Sequence, residues 1–473
     1  MMPLLFILLA FSVSVYFIIR PRDLKVPMIG RRLTLDYAFG SVLGAALLLL
    51  LGVLTPQEAW GALIGRLGFS PYTIIILFMS MAYISVSLDS TGFFEYAALK
   101  MVQRCGGDGR KLFFRFYFLS SIITLFTSND IVILTLTPII FYFGKHARIN
   151  PIPYLIAEFF AANVWSMFLY IGNPTNIIVA SASGLSFLEY SYWMVLPTIA
   201  AGIANTALLY LVCRKMMTRR FRAPGGIRPE EFLKNRPGAF VGLSVFVLAL
   251  AGMALAPSAG MEMWAVSFAL ALCLFAFDAI SALYEYPKKE MVFYHVFKRH
   301  AARERSKVYR FRLHMIAERM PWKVVPFLLC SFVMVEALVR RGLTDLAASA
   351  ISWLSPNAMS ASISMGFISG LSANVLNNQP MTVLFTKVME SPAFLLEGGT
   401  RMASLYSLII GSNLGANLTI IGALAGIMWV KILRGKGLGI SYGSFARVGF
   451  LVTPLVILAA CVTLGLEIML AGI

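Results

Sequence analysis

Histidine and cysteine are scarce in this 473-residue chain, at four and five residues, and charged residues make up only 13% of it. The cysteines (Cys105, Cys213, Cys273, Cys330, Cys461) are scattered without a C-x-x-C spacing, so they imply neither a disulfide framework nor a zinc site. The histidines (His146, His295, His300, His314) fall in or beside charged segments. Paired axial haem ligands inside an apolar span are therefore missing, which argues against a cytochrome. No G-x-x-x-x-G-K-[ST] run is present to cradle a phosphate. An aspartyl protease of the membrane needs two facing aspartates, and a serine enzyme needs a His or Lys base at depth. The apolar spans offer one aspartate in a polar break and no such base, so no cofactor and no enzyme chemistry is expected.

What the chain has instead is apolar length. Hydrophobic residues make up 59% of it, and runs fit to cross a hydrocarbon core, about 20 helical residues, recur throughout. Clear examples are 3–19, 37–55, 237–256, 261–283 and 446–471. The first run lacks a basic start and a small-residue cleavage site, so it reads as a membrane helix rather than a signal peptide. The expected class is an all-α polytopic protein of the cell membrane, with the lipid bilayer as its main partner. The net charge of +18 does not point to nucleic acid, because the basic residues cluster between apolar spans, in 20–32, 215–236, 288–323 and 431–447. That is the pattern of the positive-inside rule, which places these segments in the cytoplasm. Residues 288–323 carry eleven Lys or Arg against three Glu, with aromatics interleaved. They read as a topology-setting loop, with an amphipathic helix on anionic lipid as the alternative.

Two halves emerge. "GFFEYAALK" (92–100) resembles "GLTDLAASA" (342–350), and the same shift of 250 residues carries Ser191-Tyr192 onto Ser441-Tyr442. With every basic segment inside, the helices of one half run opposite to their counterparts. The expected organisation is a first inverted repeat (1–213), a basic cytoplasmic linker (214–236) and a second inverted repeat (237–473) containing a basic cytoplasmic loop (284–323). Inverted repeats are a signature of secondary transporters, whose sites lie at the repeat interface near the bilayer midplane.

Four polar interruptions mark that interface. "TSND" (Thr127, Ser128, Asn129, Asp130) lies between apolar arms of about 13–16 residues by this reading, both with basic flanks. This predicts a re-entrant hairpin with its tip at mid-membrane, where the N-terminus of a half-helix offers free N–H groups. "GNPTN" (Gly172, Asn173, Pro174, Thr175, Asn176) breaks the next helix, since Pro removes a donor and Gly permits unwinding. The second half repeats the arrangement. "ANVLNNQP" holds Asn374, Asn377, Asn378 and Gln379 at a second tip, and "GSNLGANLT" holds Ser412, Asn413, Gly415, Asn417 and Thr419 in a second break. These residues are the candidate substrate- and ion-binding set. Asp130 is expected to meet Asn377, Asn378 and Gln379 across the pseudo-two-fold axis. With no Lys or Arg in the four breaks, it reads as a cation ligand or a carboxylate that gains and loses a proton. Glu158 is the second candidate for proton or cation coupling. Asp89, Asp278 and Glu336 read as structural or interfacial.

At these residues the chain resembles the ion transporter superfamily. "SNDIVILTLTP" is similar to its first hairpin motif and "IGNPTNIIVA" to its broken-helix motif. Within it the similarity is strongest to the ArsB/NhaD permease branch, arsenite and antimonite efflux permeases and sodium/proton antiporters. "NNQPMTVL" and "GSNLGANLTIIGALAGIMWVKILRGKGLGISYG" look most like the arsenite permeases, "AEFFAANVWSMFLYIGNPTNIIV" more like the antiporters. Arsenite permeases tend to carry an acidic residue at the position of Asn413 and a basic one at that of Asn417. The resemblance implies a homodimer with scaffold helices and a rigidly moving transport domain, and, for an arsenite type, a separate ATPase subunit. Together these readings give a secondary active transporter, coupled to a Na⁺ or H⁺ gradient, that exports a small inorganic ion. A sodium/proton antiporter and a sodium-coupled, dicarboxylate-like anion symporter are the alternatives.

Overall fold

Backbone N–H and C=O groups in an apolar medium must bond within their own segment, so the apolar runs fold as helices. The computed structural model describes residues 2–25, 32–65, 70–103, 107–221, 228–284 and 312–473. In the first half the helices are α1 (Met2–Ile19), α2 (Tyr37–Leu50), α3 (Pro56–Ile64), α4 (Pro71–Ser90), α5 (Phe93–Gln103), α6 (Gly109–Phe126), α7 (Asn129–Ala147), α8 (Ile152–Trp165), α9 (Pro174–Ala182) and α10 (Phe187–Cys213). The second half holds α11 (Arg236–Leu255), α12 (Met263–Tyr284), α13 (Arg312–Arg319), α14 (Val324–Val339), α15 (Leu343–Leu354), α16 (Ala358–Leu376), α17 (Asn378–Glu390), α18 (Gly398–Leu414), α19 (Leu424–Gly435) and α20 (Tyr442–Leu470). Nine helices among the described residues are long and apolar enough to cross a membrane. The fold is a helical, multi-pass membrane protein.

Three details differ from the sequence reading. A two-stranded antiparallel hairpin, β1 (Arg22–Lys25) with β2 (Arg32–Leu35), interrupts the all-α pattern. It falls in a basic segment whose intervening sequence holds the turn formers Pro27 and Gly30. The hairpin arms are also longer than their apolar runs. Helices α6 and α7 have 18 and 19 residues, and α7 continues through Lys145 and His146, because the backbone ladder does not stop where the side chains become polar. Finally, α8 ends at Trp165, seven residues before Gly172. Of the basic loop 284–323, residues 285–311 lie outside the described residues, and 312–319 form α13.

Packing sorts the helices into two groups. In one, α1 packs on α2, α2 on α14, and α4 on α11 and α12, with Asp278 of α12 accepting from Tyr83 and Ser87 of α4. In the other, α6 packs on α8, α10 on α20, and α16 on both α18 and α20. Within that group the halves exchange partners. The arm α7 packs on α19, the helix after the second break, and the arm α17 packs on α9, the helix after the first. The matched glycines Gly92 and Gly342 both sit at positive φ (84° and 69°), each between a long helix and a short one. At Gly92 a Cβ would lie 1.8 Å from the Phe232 carbonyl oxygen, so only glycine fits there.

Candidate functional site

The four interruptions fall where the sequence places them, and hydrogen bonds join each to another. The helix α7 starts at Asn129, whose backbone N–H reaches the Gly172 carbonyl at 3.4 Å. Gly172 is obligatory for a geometric reason: a Cβ there would stand 2.1 Å from the Ser166 carbonyl oxygen, because the chain doubles back on itself. The carbonyls freed by the break are recaptured by Asn176, whose Nδ2 donates to Ser166 O (2.7 Å) and Leu169 O (3.0 Å). Asn173 caps α9 by accepting from Thr175 N, and Pro174 occupies the first turn, where its missing donor costs nothing.

Asn413 is the hub where the breaks meet. Its Oδ1 accepts from Asn173 Nδ2 (2.9 Å) and Ser166 Oγ (2.8 Å), and its Nδ2 donates to Asn176 Oδ1 (2.7 Å). Ser412 Oγ donates to Thr175 Oγ1 at 3.2 Å. A second chain runs from Asn129 Nδ2 to Asn163 Oδ1 (3.0 Å) and from Asn163 Nδ2 to Asn417 Oδ1 (2.9 Å). Asn163, Ser166, Asn173, Asn176 and Asn413 are all buried, so this network replaces water for amides that would otherwise be orphaned. Asn163 and Ser166 were not in the sequence-derived set. The same rule that flagged Asp130, a polar group inside an apolar run, applies to both.

At the second tip, Asn377 adopts φ 73° and ψ 148°, a conformation L-residues rarely hold, which marks stored strain. Its Nδ2 donates to Ile421 O, and that of Asn378 to Ser412 O. Among the described residues, Asn377 Oδ1, Asn378 Oδ1 and Gln379 Oε1 are enclosed without a donor. Asn374 bonds Gly370 O and Gly415 O and accepts from Thr419 Oγ1, so these residues lock the second break internally. Thr127 turns back onto Ile123 O of its own helix.

The expected meeting of Asp130 with the second tip is not found. No hydrogen bond joins it to Asn377, Asn378 or Gln379, and it lines a cavity of about 780 Å³ that those three do not line. Helical period explains this: Asp130 shares a face of α7 with Leu134, Pro138 and Tyr142, all on the cavity wall, whereas Asn129 points toward Asn163. The cavity runs from Ser128 and Asp130 past Tyr37 and Asp89 to Pro21, Trp322, Lys323 and Lys431, which are exposed and lie in the basic segments. Among the described residues, the Asp130 carboxylate has neither a hydrogen-bond donor nor an ion-pair partner, while its backbone N–H bonds Asn129 Oδ1. Of the other carboxylates on the wall, Asp36 is held by Lys323 and Asp89 by Arg319, while Glu95 keeps one oxygen, Oε2, enclosed without a hydrogen-bond partner among the described residues. Glu158 is off the wall, fully buried, and accepts from Thr137 Oγ1 (2.8 Å) and Trp429 Nε1 (3.3 Å).

Polar broken helices around a cavity that reaches the Asp130 carboxylate are what a solute pathway needs, and comparison with known proteins gives the class: the protein is a multi-pass membrane transporter. The chain belongs to the citrate transporter family, CitMHS, whose model matches residues 14–398. It is 28% identical over 444 residues to the arsenical pump membrane protein of Escherichia coli strain K12, covering 92% of this chain and 94% of that one. A putative arsenical pump membrane protein of Bacillus subtilis strain 168 is 24% identical over 473 residues, covering 95% and 97%. An uncharacterized transporter of Mycobacterium tuberculosis is 25% identical over 409 residues, covering 85% and 87%. The crystal structure of the Alcanivorax borkumensis YdaH transporter shares the fold, with a TM-score of 0.56 at 15% identity over 99% of this chain and 98% of that one. The resemblance read from the hairpin and broken-helix motifs is thereby borne out, as is the expectation of a transporter rather than an enzyme.

Proposed function

We infer that the protein is a secondary active transporter that exports a small inorganic species of the arsenite or antimonite type, driven by a Na⁺ or H⁺ gradient. The observation that carries this reading is Asp130, a carboxylate on the cavity wall in the first turn of α7, unpaired among the described residues. It is the group best placed to take up and release the coupling ion. Three undonated amide oxygens at the second tip add to it. Arsenous acid is uncharged at neutral pH and donates hydroxyl protons, so acceptor oxygens suit it, as they suit a cation, better than they suit a carboxylate anion.

The same reading takes 1–213 and 237–473 as inverted repeats with re-entrant hairpins. The exchange of partners, α7 with α19 and α17 with α9, is what a pseudo-two-fold axis would produce. Alternating access would then be an elevator motion of the group containing both tips against the group built on α2, α4, α12 and α14. A homodimer and, for an arsenite type, a separate ATPase subunit belong to this reading as well. A second reading, a sodium-coupled anion symporter, is favoured by the family match and by Lys234 and Lys431 on the cavity wall.

The test is uptake into everted membrane vesicles under an imposed pH or Na⁺ gradient, with arsenite, antimonite, Na⁺ and citrate compared. Gradient-driven arsenite or antimonite accumulation is expected. Driven movement of citrate alone would replace this reading with the symporter, and of Na⁺ alone with the antiporter.

A further inference from the structure

Asp89 lies at the end of α4 and is 6% exposed, with both carboxylate oxygens engaged. Thr135 Oγ1, on the first hairpin arm α7, donates to Oδ1 at 2.8 Å, and Arg319 Nη1, in the last turn of α13, donates to Oδ2 at 2.7 Å. A buried carboxylate holding one hydroxyl and one guanidinium is costly to separate from either. The two donors come from different helices, α7 and α13. Thr135 sits on the cavity wall five residues from Asp130 on the same helix, about 7.5 Å along its axis. Arg319 belongs to the helix that leads into α14, and α4 is itself fixed to α12 by the Asp278 bonds to Tyr83 and Ser87.

We propose that Asp89 is a positioning residue for transport: with Arg319 compensating its charge, it fastens the Thr135 face of the first hairpin to α4. The hairpin is thereby held where the cavity reaches Asp130 from the basic-segment side. This rests on the alternating-access reading above, in which α7 moves relative to α4. Each crossing of the hairpin then breaks the Thr135 bond, while the Arg319 pair stays with α4, so that Asp89 is never left as an isolated charge.

Leu134, exposed on the same cavity face, reports the state without any substrate. Leu134→Cys is made in a background with Cys105, Cys273 and Cys330 changed to serine, and its labelling rate by a membrane-impermeant maleimide is measured in inside-out vesicles. Thr135→Val, which removes only the hydroxyl, should slow labelling about tenfold, the scale of losing one hydrogen bond to a charged group. Thr135→Ser should restore the parent rate, which a mere packing role would not do. Asp89→Asn should slow labelling as well. Parent-rate labelling in a monodisperse Thr135→Val protein overturns the proposal, whatever the transport assay gives. Slowed labelling in the variant together with absent arsenite flux in the parent protein overturns the substrate reading alone.

Discussion

At the scale of single residues, the two membrane carboxylates singled out in the sequence have different surroundings. Among the described residues the Asp130 carboxylate has no hydrogen-bond or ion-pair partner and faces the cavity, whereas Glu158 is enclosed with a donor on each oxygen. Asp130→Asn keeps the shape and fixes the neutral form. Gradient-driven flux should therefore vanish while thermal stability in detergent stays at or above that of the parent, because a half-buried charge without a counter-ion has gone. Asp130→Glu should retain part of the flux. Glu158→Gln should transport within about twofold of the parent, since an amide can accept from Trp429 and donate to Thr137. Glu158→Ala leaves both groups facing a void and should cost about 2–4 kcal/mol, read as a lower melting midpoint. If Glu158→Gln abolishes driven flux while Asp130→Asn spares it, the coupling site is Glu158.

Between elements, close approach of α16 and α18 is what holds the second half of the site. Gly366 and Gly370 of α16 face Gly411 of α18 and Gly415, the residue that caps its end: a Cβ at Gly411 would lie 1.9 Å from Ser369 Oγ, and one at Gly415 would lie 2.4 Å from Gly370 O. Both helices carry the small-xxx-small spacing that lets backbones touch in a membrane. The sequence reading took "GSNLG" only as the start of a break, yet it is also a packing face. Gly411→Leu should separate the helices, lower the melting midpoint by an amount equivalent to about 1–3 kcal/mol or more, and remove transport with it. Gly435, with nothing within 4 Å of a Cβ, is the control: Gly435→Ala should leave the melting midpoint within about 0.5 kcal/mol equivalent of the parent. Equal behaviour of the two variants would show that the glycine face is not what holds these helices together.

For the whole molecule, orientation is the prediction to check. The cavity mouth is built from basic segments, so it should face the cytoplasm by the positive-inside rule. Cysteines placed at exposed Arg214 and exposed Pro356 should label from opposite sides, Arg214→Cys only in inside-out vesicles and Pro356→Cys only in intact cells. Labelling of both from one side would reverse one half and remove the inverted arrangement proposed for 1–213 and 237–473.

The sequence by itself determined the class and the places where the helices break. Apolar length demands helices, and Pro, Gly and Asn within such length can survive only at breaks, so the four polar clusters were legible as a set. The comparisons then bore out the transporter class. What only the tertiary structure decided is who meets whom. Asn413 gathers the partners of the first break, α7 packs on α19 of the other half, and Asp130 turns to the cavity instead of the second tip. Residues 240 and more apart in sequence carry no local signal of their pairing. A helix's polar residue announces that it needs a partner, but which partner it finds depends on rotation and depth, set by the packing of every other helix around it.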